Sequence, residues 1–300
     1  MQLKALLYFD ELVRTKSMRQ AAENLNVAPT AISRQIENLE EHFGAPLVER
    51  STRGVTLTAA GELLASQAGR TLRELDYVER LIEDLKDLER GRVNIYASGA
   101  SVAYLLGPAL AAFSLQYPKL RFEVTIGSAP QAVEAVRDAF ADMAITLFTP
   151  PAPDLDIRLH AEVRYDLIVG AAHPLACKKQ VSLDDVLHVS LALPDGSFGF
   201  RQSFDALLRK ERASVDPLFV TSSLEMLREL MLQGVAATLL PAQTMLRDIK
   251  AGRLVAVPLE DSAAIRTRID LLIAPDRQLS FAAKKLIGFL DEFMREQVAR

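Results

Sequence analysis

Residues 17–39, SMRQAAENLNVAPTAISRQIENL, decide the fold of the N-terminal part of the chain. Ser17 is a good N-cap, and Gln20 follows three residues later as in a capping box, so a short helix is predicted to begin here. Asn26 tolerates the left-handed conformation that often ends a helix, and Pro29 suits the first position of the next one. The stretch therefore predicts a helix, a tight turn and a second helix.

The second predicted helix has one apolar face and one polar face. Its inward residues, which recur at helical spacing, are Ile32, Ile36 and Leu39. Thr30, Ser33 and Arg34 lie on the opposite face, where hydroxyl and guanidinium groups can contact base edges or phosphates. Because the major groove admits one helix, this pattern favours a DNA-reading helix. The alternative is an ordinary amphipathic helix pair with a solvated polar face.

Residues 48–57, VERSTRGVTL, indicate two short strands joined by a turn. Arg50 and Arg53 flank this turn, so the wing would carry two cations at its tip. Such cations suit contact with phosphates or the minor groove. The alternative for both arginines is a solvated turn.

Composition fits a protein of two or more domains, because 300 residues with 49% hydrophobic content exceed one core of typical size. The single Cys177 excludes an internal disulfide framework. We find neither an apolar run of transmembrane length nor a signal peptide, and we expect a cytoplasmic protein with no membrane partner. Charge does not by itself indicate a nucleic-acid binder: residues 1–58 hold seven Lys/Arg and seven Asp/Glu.

The cations of this region are nevertheless placed unevenly. Arg14, Lys16 and Arg19 surround the start of the first motif helix, whereas acidic residues gather toward the end of the second. We therefore expect a local positive strip with modest DNA affinity per subunit.

A long helix is predicted from Thr58, its N-cap, to about Leu88. Spacings of four and three residues describe a coiled-coil seam with one polar position, formed by Leu64, Ala68, Thr71, Leu75, Val78, Ile82 and Leu85. The seam favours contact with a second subunit. The alternative is packing against the chain's own domains.

Strands and helices alternate beyond Gly91, which indicates parallel sheets with covered faces. Strands are predicted at 93–97, 120–126, 143–147, 189–193, 219–220, 236–240 and 265–274, with a final helix from about Ser280. Prolines at 150–153 and the extended stretch to Val169 predict a crossover into a second lobe, from which 265–274 returns. Two α/β lobes joined by two crossovers would enclose a cleft.

Four predicted strands end in loops with small hydroxyl residues. These loops are 98–101, 127–128, 195–197 and 221–223. Each precedes a helix, so hydroxyls and backbone N–H groups could together hold an anion at the carboxyl edge of a sheet. The alternative for each single loop is plain N-capping.

An enzyme is the rival class. Residues 99–103, GASVA, nearly match the Gly-x-Ser-x-Gly nucleophile elbow and would make Ser101 the nucleophile of a hydrolase, but the final glycine is absent. No histidine has a partner at metal-ligand spacing, and there is no P-loop or dinucleotide fingerprint. We therefore predict no catalytic residue, metal or cofactor. A solute-binding protein of transport is a second rival, which would leave the DNA-reading head unexplained.

The N-terminal motifs are specific enough to name a family. Residues 1–61 resemble the winged helix-turn-helix of the LysR-type transcriptional regulators. The resemblance rests on Ala21-Ala22, Val27, 31–36 (AISRQI), Leu39-Glu40, Gly44-x-Pro46-Leu47, Glu49-Arg50 and Leu57-Thr58-x-Ala60-Gly61. Many members have Ser-Gln-Pro where this chain has residues 28–30, APT, so a side-chain N-cap and a base-contacting glutamine are missing.

Residues 91–300 resemble the periplasmic-binding-protein-like effector domain of the same family, through 234–241 (GVAATLLP) and 173–175 (HPL). The resemblance implies an inducer near Ser98, Ser101, Ser128, Phe148, Ser197 and Thr221. Arg201 is either a carboxylate partner or a solvated helix residue. In this family the linker helix pairs two subunits antiparallel.

The resulting prediction is an α+β multidomain regulator of transcription that binds DNA sequence-specifically and responds to a small-molecule effector. Its parts are a winged helix-turn-helix at 1–58, a linker helix at 59–90 and an effector domain at 91–300, with lobe I at 91–161 and 266–300 and lobe II at 162–265. The predicted DNA contacts are Ser17, Arg19, Thr30, Ser33, Arg34, Gln35, Arg50 and Arg53. The predicted partners are an inverted-repeat promoter site, a second or further copies of the chain as homodimer or homotetramer, and RNA polymerase.

Overall fold

A computed structural model describes residues 3–51, 54–84, 91–260, 265–275 and 277–298. The chain divides into two compact units. The first, called the head below, comprises the residues up to 83 together with 138–140, and the second, the C-terminal unit, comprises the others. Each unit is described by itself.

The head contains four helices and a two-stranded wing among its described residues. The elements are α1 (Leu3–Thr15), α2 (Met18–Asn24), α3 (Pro29–Phe43), β1 (Val48–Ser51), β2 (Gly54–Leu57) and α4 (Ala59–Asp84). β1 and β2 pair antiparallel, which confirms the predicted wing. The head core includes the three predicted inward residues of α3, Ile32, Ile36 and Leu39.

Local signals at the helix ends hold as predicted, with one difference. Ser17 Oγ accepts a hydrogen bond from Gln20 N at 3.3 Å, and Asn26 adopts a φ of 53° after α2. The side chain of Gln20 donates instead to Asn24 Oδ1 at 3.0 Å, so no reciprocal capping bond forms. Ala28 precedes α3 without a side-chain cap, as the departure from Ser-Gln-Pro implies.

The wing is fastened to α3 by one carboxylate. Glu40 Oε1 accepts hydrogen bonds from Leu47 N at 2.8 Å and from Val48 N at 3.2 Å. Thr58 Oγ1 accepts from Gly61 N at 3.0 Å and donates to Pro46 O at 2.6 Å, so the predicted cap of α4 also ties this helix to the start of the wing. The chain from α3 to α4 therefore has a fixed path.

The predicted seam on α4 divides into two parts. Leu64 and Ala68 pack into the core of the head, so this end of the stripe is covered by the chain itself. Further along, Leu75, Val78 and Ile82 are 42%, 47% and 51% exposed. Leu85 and Leu88 lie outside the described residues.

The C-terminal unit alternates strands and helices. Its first half contains β3 (Gly91–Ser98), α5 (Gly99–Ser101), a π-helical segment (Val102–Leu106), α6 (Gly107–Gln116), β4 (Leu120–Gly127), α7 (Ala129–Arg137), β5 (Met143–Leu147), β6 (Asp156–Arg164) and β7 (Asp166–Gly170). Its second half contains 3-10 turns at Pro174–Cys177 and Ala242–Met245, together with α8 (Leu183–Leu187), β8 (Ala192–Pro194), α9 (Gly199–Lys210), β9 (Phe219–Thr221), α10 (Leu224–Leu232), β10 (Thr238–Leu240), α11 (Leu246–Lys250), β11 (Leu254–Pro258), β12 (Arg266–Ile273) and α12 (Phe281–Val298).

The two lobes each have a sheet, and neither sheet is wholly parallel as the alternation predicted. Lobe I has the strand order β4-β3-β5-β12-β6, in which β3 runs parallel to β4 and β5 while β12 is antiparallel to β5 and β6. In lobe II, β7 is antiparallel to β10 and β11, β8 pairs parallel with β9, and a parallel bridge between Leu191 and Ala237 links the two groups. The one strand that runs against its neighbours is β12 in lobe I and β7 in lobe II, and each is the first strand of its lobe after a crossover.

The first crossover lies within the extended stretch to Val169, a few residues after the approximate lobe boundary. β6 continues in the lobe I sheet to Arg164, beyond the predicted boundary at 161, and β7 begins at Asp166 in lobe II. Between them, Tyr165 N donates to Ile265 O at 3.1 Å, which joins the two crossovers side by side. No helix in the described part of the chain is long and apolar enough to cross a membrane.

Candidate functional site

The outer face of α3 presents polar groups to solvent. Thr30 and Arg34 are exposed, and Ser33 is half-buried with its Oγ 3.5 Å from Glu37 Oε1. Arg34 has no ion-pair partner among the described residues. Its guanidinium therefore keeps all of its donors for an external acceptor such as a guanine edge or a phosphate.

Two other predicted DNA contacts have more restricted side chains. Gln35 is half-buried, and within the described residues its Oε1 is buried without a hydrogen-bond partner, so it does not share the exposed face of Thr30. Ser17 Oγ serves as acceptor in the cap of α2, which leaves only its O–H to donate outward.

The predicted positive strip is partly neutralised. Arg14 forms a bidentate pair with Glu11, whose pKa is lowered by the hydrogen bond from that arginine, and Arg19 Nε lies 3.0 Å from Glu23 Oε1. Such exposed pairs are weak, so a phosphate can compete for either arginine. In the wing, Arg50 is placed by its backbone in β1, and Arg53 lies outside the described residues.

A cavity of about 500 Å³ lies in the C-terminal unit at the carboxyl ends of β3, β4 and β5. Both lobes contribute to its wall. The described residues that line it are Ser98, Gly99, Ala100, Ile126, Gly127, Ser128, Ala129, Gln131, Leu147, Phe148, Tyr165, Ser197, Phe198, Gly199, Phe200 and Ser222. Four predicted site residues are among them, namely Ser98, Ser128, Phe148 and Ser197. The structure thus brings residues from three of the four predicted loops, and Ser222 from the fourth, to one place.

Three predicted residues do not line the cavity. Ser101 is fully buried, with Oγ 2.7 Å from Ser98 O and 2.9 Å from Ile145 O, so its hydroxyl donates to the main chain. Arg201 Nε donates to Asp205 Oδ1 at 2.9 Å along the surface of α9. Thr221 Oγ1 accepts from Ser223 N at 3.1 Å, as in an ordinary turn. The same contacts leave Ser101 without the exposed Oγ that a nucleophile elbow provides.

The polar groups of the cavity retain free hydrogen-bonding capacity. Ser98 Oγ accepts from Leu147 N at 3.1 Å, so its O–H remains available as a donor. Gln131 Oε1 accepts from the N and Oγ of Ser128 at 2.9 Å and 3.0 Å, which leaves the amide NH₂ of Gln131 as a second donor.

Tyr165 supplies a third donor, a hydroxyl that the sequence patterns missed. Tyr165 is 2% exposed and lines the cavity, and its hydroxyl has no hydrogen bond among the described residues. Burial raises the pKa of Tyr165 far above its ordinary value of 10.0, so the phenol stays protonated and can donate. Its ring stacks on Phe200 with centroids 4.6 Å apart. Its place in the crossover, between β6 and β7, was the signal that could have identified it.

None of the described lining residues is an Asp, Glu, Lys or Arg. The cavity therefore offers hydroxyls, an amide and aromatic rings, which suit hydrogen bonds and apolar contact instead of ion pairing. Across the described residues, no group of His, Cys, Asp and Glu is arranged to hold a metal ion.

The two lobes are in close contact where α9 begins. A Cβ built on Gly199 would lie 2.3 Å from Phe148 Cβ and 2.9 Å from its Cγ, which is closer than real Cβ atoms come. Phe148 is itself constrained: its φ is 55°, and its N donates to Thr267 Oγ1 at 3.2 Å. Only glycine at 199 permits this contact without displacement.

We predict that Gly199→Ala lowers the free energy of unfolding by about 1–3 kcal/mol, because the new methyl overpacks against Phe148. The matched control is Gly196→Ala in the same loop, where nothing lies within 4 Å of the new Cβ and the change should stay within about 0.5 kcal/mol. Urea unfolding followed by circular dichroism measures both. Equal midpoints for the two variants would contradict the close contact.

Comparison with known proteins agrees with both parts of the chain. Residues 3–62 match the family model "Bacterial regulatory helix-turn-helix protein, lysR family", and residues 86–295 match "LysR substrate binding domain". The transcriptional dual regulator GltC of Bacillus subtilis is 32% identical over 298 residues, which cover 98% of this chain and 97% of that protein. The regulator CbbR of Xanthobacter flavus is 27% identical over 277 residues, covering 92% and 83%.

Solved structures show the same fold. Full-length CbnR in complex with its target DNA superposes with a TM-score of 0.71 at 21% identity and covers 99% of each chain. HinK, a LysR family regulator from Pseudomonas aeruginosa, gives a TM-score of 0.57 at 23% identity and covers 97% of each chain. The two matched domains together span the head and the cavity-bearing unit. The chain belongs to the LysR family of DNA-binding transcriptional regulators, with an effector-binding C-terminal domain.

Proposed function

We propose that α3 is the recognition helix and that Thr30, Ser33 and Arg34 contact base edges in the major groove. The observation that carries this proposal is the exposed Arg34 guanidinium, which has no ion-pair partner among the described residues. Arg19, the O–H of Ser17, and Arg50 and Arg53 of the wing would contact flanking phosphates. Gln35 would contribute by packing, because its Oε1 is buried.

Arg34→Ala should weaken binding to a specific duplex by about 1–3 kcal/mol, on the order of 10- to 100-fold, because one bidentate base contact is lost. Duplexes selected from a random pool with the full-length protein supply the probe, and fluorescence anisotropy at fixed salt measures the affinity. The control is Arg295→Ala, an exposed arginine of α12 that removes the same charge.

A loss confined to the selected duplex supports base reading. An equal loss of affinity for random DNA would assign Arg34 to a phosphate instead. The slope of log affinity against log salt concentration would then also fall by about one. Unchanged affinity would remove Arg34 from the interface.

The exposed half of the α4 stripe fits self-association. Leu75, Val78 and Ile82 recur at spacings of three and four residues, so they form one apolar face that a second copy of the helix can cover. The protein would act as a homodimer, or as a homotetramer built from such dimers, with its heads on the two halves of an inverted repeat. We further propose that it works in the cytoplasm and, from the promoter, acts on RNA polymerase.

Val78→Glu should shift the protein toward monomer, with self-association weakened about tenfold or more, because the interface would bury an unpaired carboxylate. Sedimentation equilibrium over a range of concentrations gives the association constant. Ser66→Glu is the control, since Ser66 is exposed on the opposite side of the same helix. If Val78→Glu associates as strongly as the control, the stripe does not form the contact between subunits.

The cavity between the lobes is the proposed effector site. Its ligand would be a small organic molecule that needs no metal or cofactor, whose apolar body packs on Phe148, Phe198 and Phe200 and whose polar groups accept from Ser98, Gln131 and Tyr165. Occupancy would alter the arrangement of the lobes, and so the spacing of the heads within an oligomer, provided that the ligand binds the two arrangements with different affinity.

Tyr165→Phe should weaken effector binding by about 0.5–1.5 kcal/mol, roughly 2- to 10-fold, because a single hydrogen bond is lost. Folding should be unaffected, since the hydroxyl has no partner within the described chain. A thermal-shift screen of small metabolites identifies a ligand, and calorimetry compares wild type with Tyr165→Phe and with Tyr117→Phe, which removes a hydroxyl remote from the cavity wall. Equal affinity for all three proteins would exclude Tyr165 from the contacts.

A further inference from the structure

A second cavity lies on the far side of Phe148. It has a volume of about 450 Å³ and is lined by β12 of lobe I and by α9 of lobe II. Phe148 and Gly199 belong to the walls of both cavities, so the two cavities adjoin at these residues. None of the predicted contacts with DNA or a subunit lies in this second cavity.

An unsatisfied carboxylate faces this second cavity. Asp270 is 2% exposed and lines the wall, yet its Oδ1 is buried with no hydrogen-bond partner among the described residues. A buried carboxylate without hydrogen bonds is costly, since it has given up its hydrogen bonds to water, and an ion pair alone does not replace them. Asp270 is therefore suited to accept hydrogen bonds from a cationic group that enters the cavity.

A guanidinium stands beside that carboxylate. Arg268, two residues earlier on the same face of β12, has its Nε 3.7 Å from Asp270 Oδ1, which is too far for a hydrogen bond. The Arg268 side chain is 55% exposed and also lines the cavity. The facing residues on neighbouring strands are Thr146 and His160, and Thr146 Oγ1 is already bonded to Thr149 Oγ1 at 2.6 Å. One wall thus places a carboxylate, which can bind a cation, next to a guanidinium, which can bind an anion.

We propose that this second cavity binds an α-amino acid as a zwitterion. Its ammonium group donates to the Asp270 carboxylate, and its carboxylate accepts from the Arg268 guanidinium. The side chain then lies against the ring of Phe148 and the methyl of Ala206, an apolar surface that suits an aliphatic residue. A simple amine or a simple carboxylic acid satisfies only one of the two charged groups, so neither matches the site as well.

Three probes with one side chain test this assignment by calorimetry on the full-length protein. L-leucine carries both charged groups, 3-methylbutylamine lacks the carboxylate, and 4-methylpentanoate lacks the ammonium. Leucine should bind about tenfold or more tightly than either analogue, because each charged hydrogen bond contributes on that order.

Substitutions assign the two ends of the ligand. Asp270→Asn should weaken leucine binding about 10- to 100-fold and remove most of its advantage over 4-methylpentanoate. Arg268→Gln should likewise remove its advantage over 3-methylbutylamine. The matched controls are Asp156→Asn and Arg158→Gln, an exposed Asp–Arg pair on the neighbouring strand β6 that should leave leucine binding unchanged.

A further variant covers the case in which Asp270→Asn fails to fold. Ala206 is exposed on α9, so Ala206→Phe fills the cavity without disturbing the core and should abolish leucine binding. Tyr165→Phe, which changes only the larger cavity, should leave leucine binding intact.

Several results would overturn the proposal. They are absent binding of leucine, equal affinity for leucine and either analogue, full affinity in Ala206→Phe, and loss of leucine binding in Tyr165→Phe but not in Asp270→Asn. If Arg268 and Asp270 serve only each other, both single variants will melt at lower temperature and wild type will bind no leucine, which also overturns it.

Discussion

The contact between Gly199 and Phe148 is the constraint on which the C-terminal unit depends. It brings the start of α9 in lobe II against the loop after β5 in lobe I, closer than any side chain at 199 would permit. Phe148 makes this contact with its backbone in the left-handed conformation, which the hydrogen bond from Phe148 N to Thr267 Oγ1 stabilises. The aromatic row then continues through Tyr165 and Phe200, so the place where the lobes touch also shapes the walls of both cavities.

Hydroxyl groups at strand ends divide into two roles that sequence alone does not separate. Ser101 and Thr221 satisfy main-chain groups, whereas Ser98 satisfies one and still faces the cavity. Both roles favour the same residue types in the same loops, because a turn before a helix needs acceptors whether or not a ligand is present. Four of the predicted residues therefore meet at one cavity, at the carboxyl edge of the lobe I sheet, and the others do not; their role in binding an effector stays a prediction.

Prediction from sequence succeeded where a signal was local and failed where it depended on partners far along the chain. The fold of the head could be predicted because helix caps, Pro29 and apolar periodicity each act within a few residues. The direction of the strands could not be predicted in this way, since β12 pairs with β5 and β6 only after the chain has completed lobe II. The stripe on α4 shows the same limit. Apolar residues recur at the same spacing along the whole helix, yet Leu64 packs into the core of the head while Leu75 is exposed, so the spacing alone does not predict which residues are covered.

Regulation by a ligand requires that two arrangements of the protein bind it with different affinity. A molecule that touched a single lobe would move with that lobe and keep its contacts in every arrangement, so it would shift no equilibrium. The larger cavity avoids this limit, because Ser98 and Ser128 come from lobe I while Ser197 and Ser222 come from lobe II. Moving the lobes apart breaks one set of contacts. If the proposed effector binds there, the wall shared by two lobes, rather than any single polar group, is the feature that would couple binding to a change of conformation.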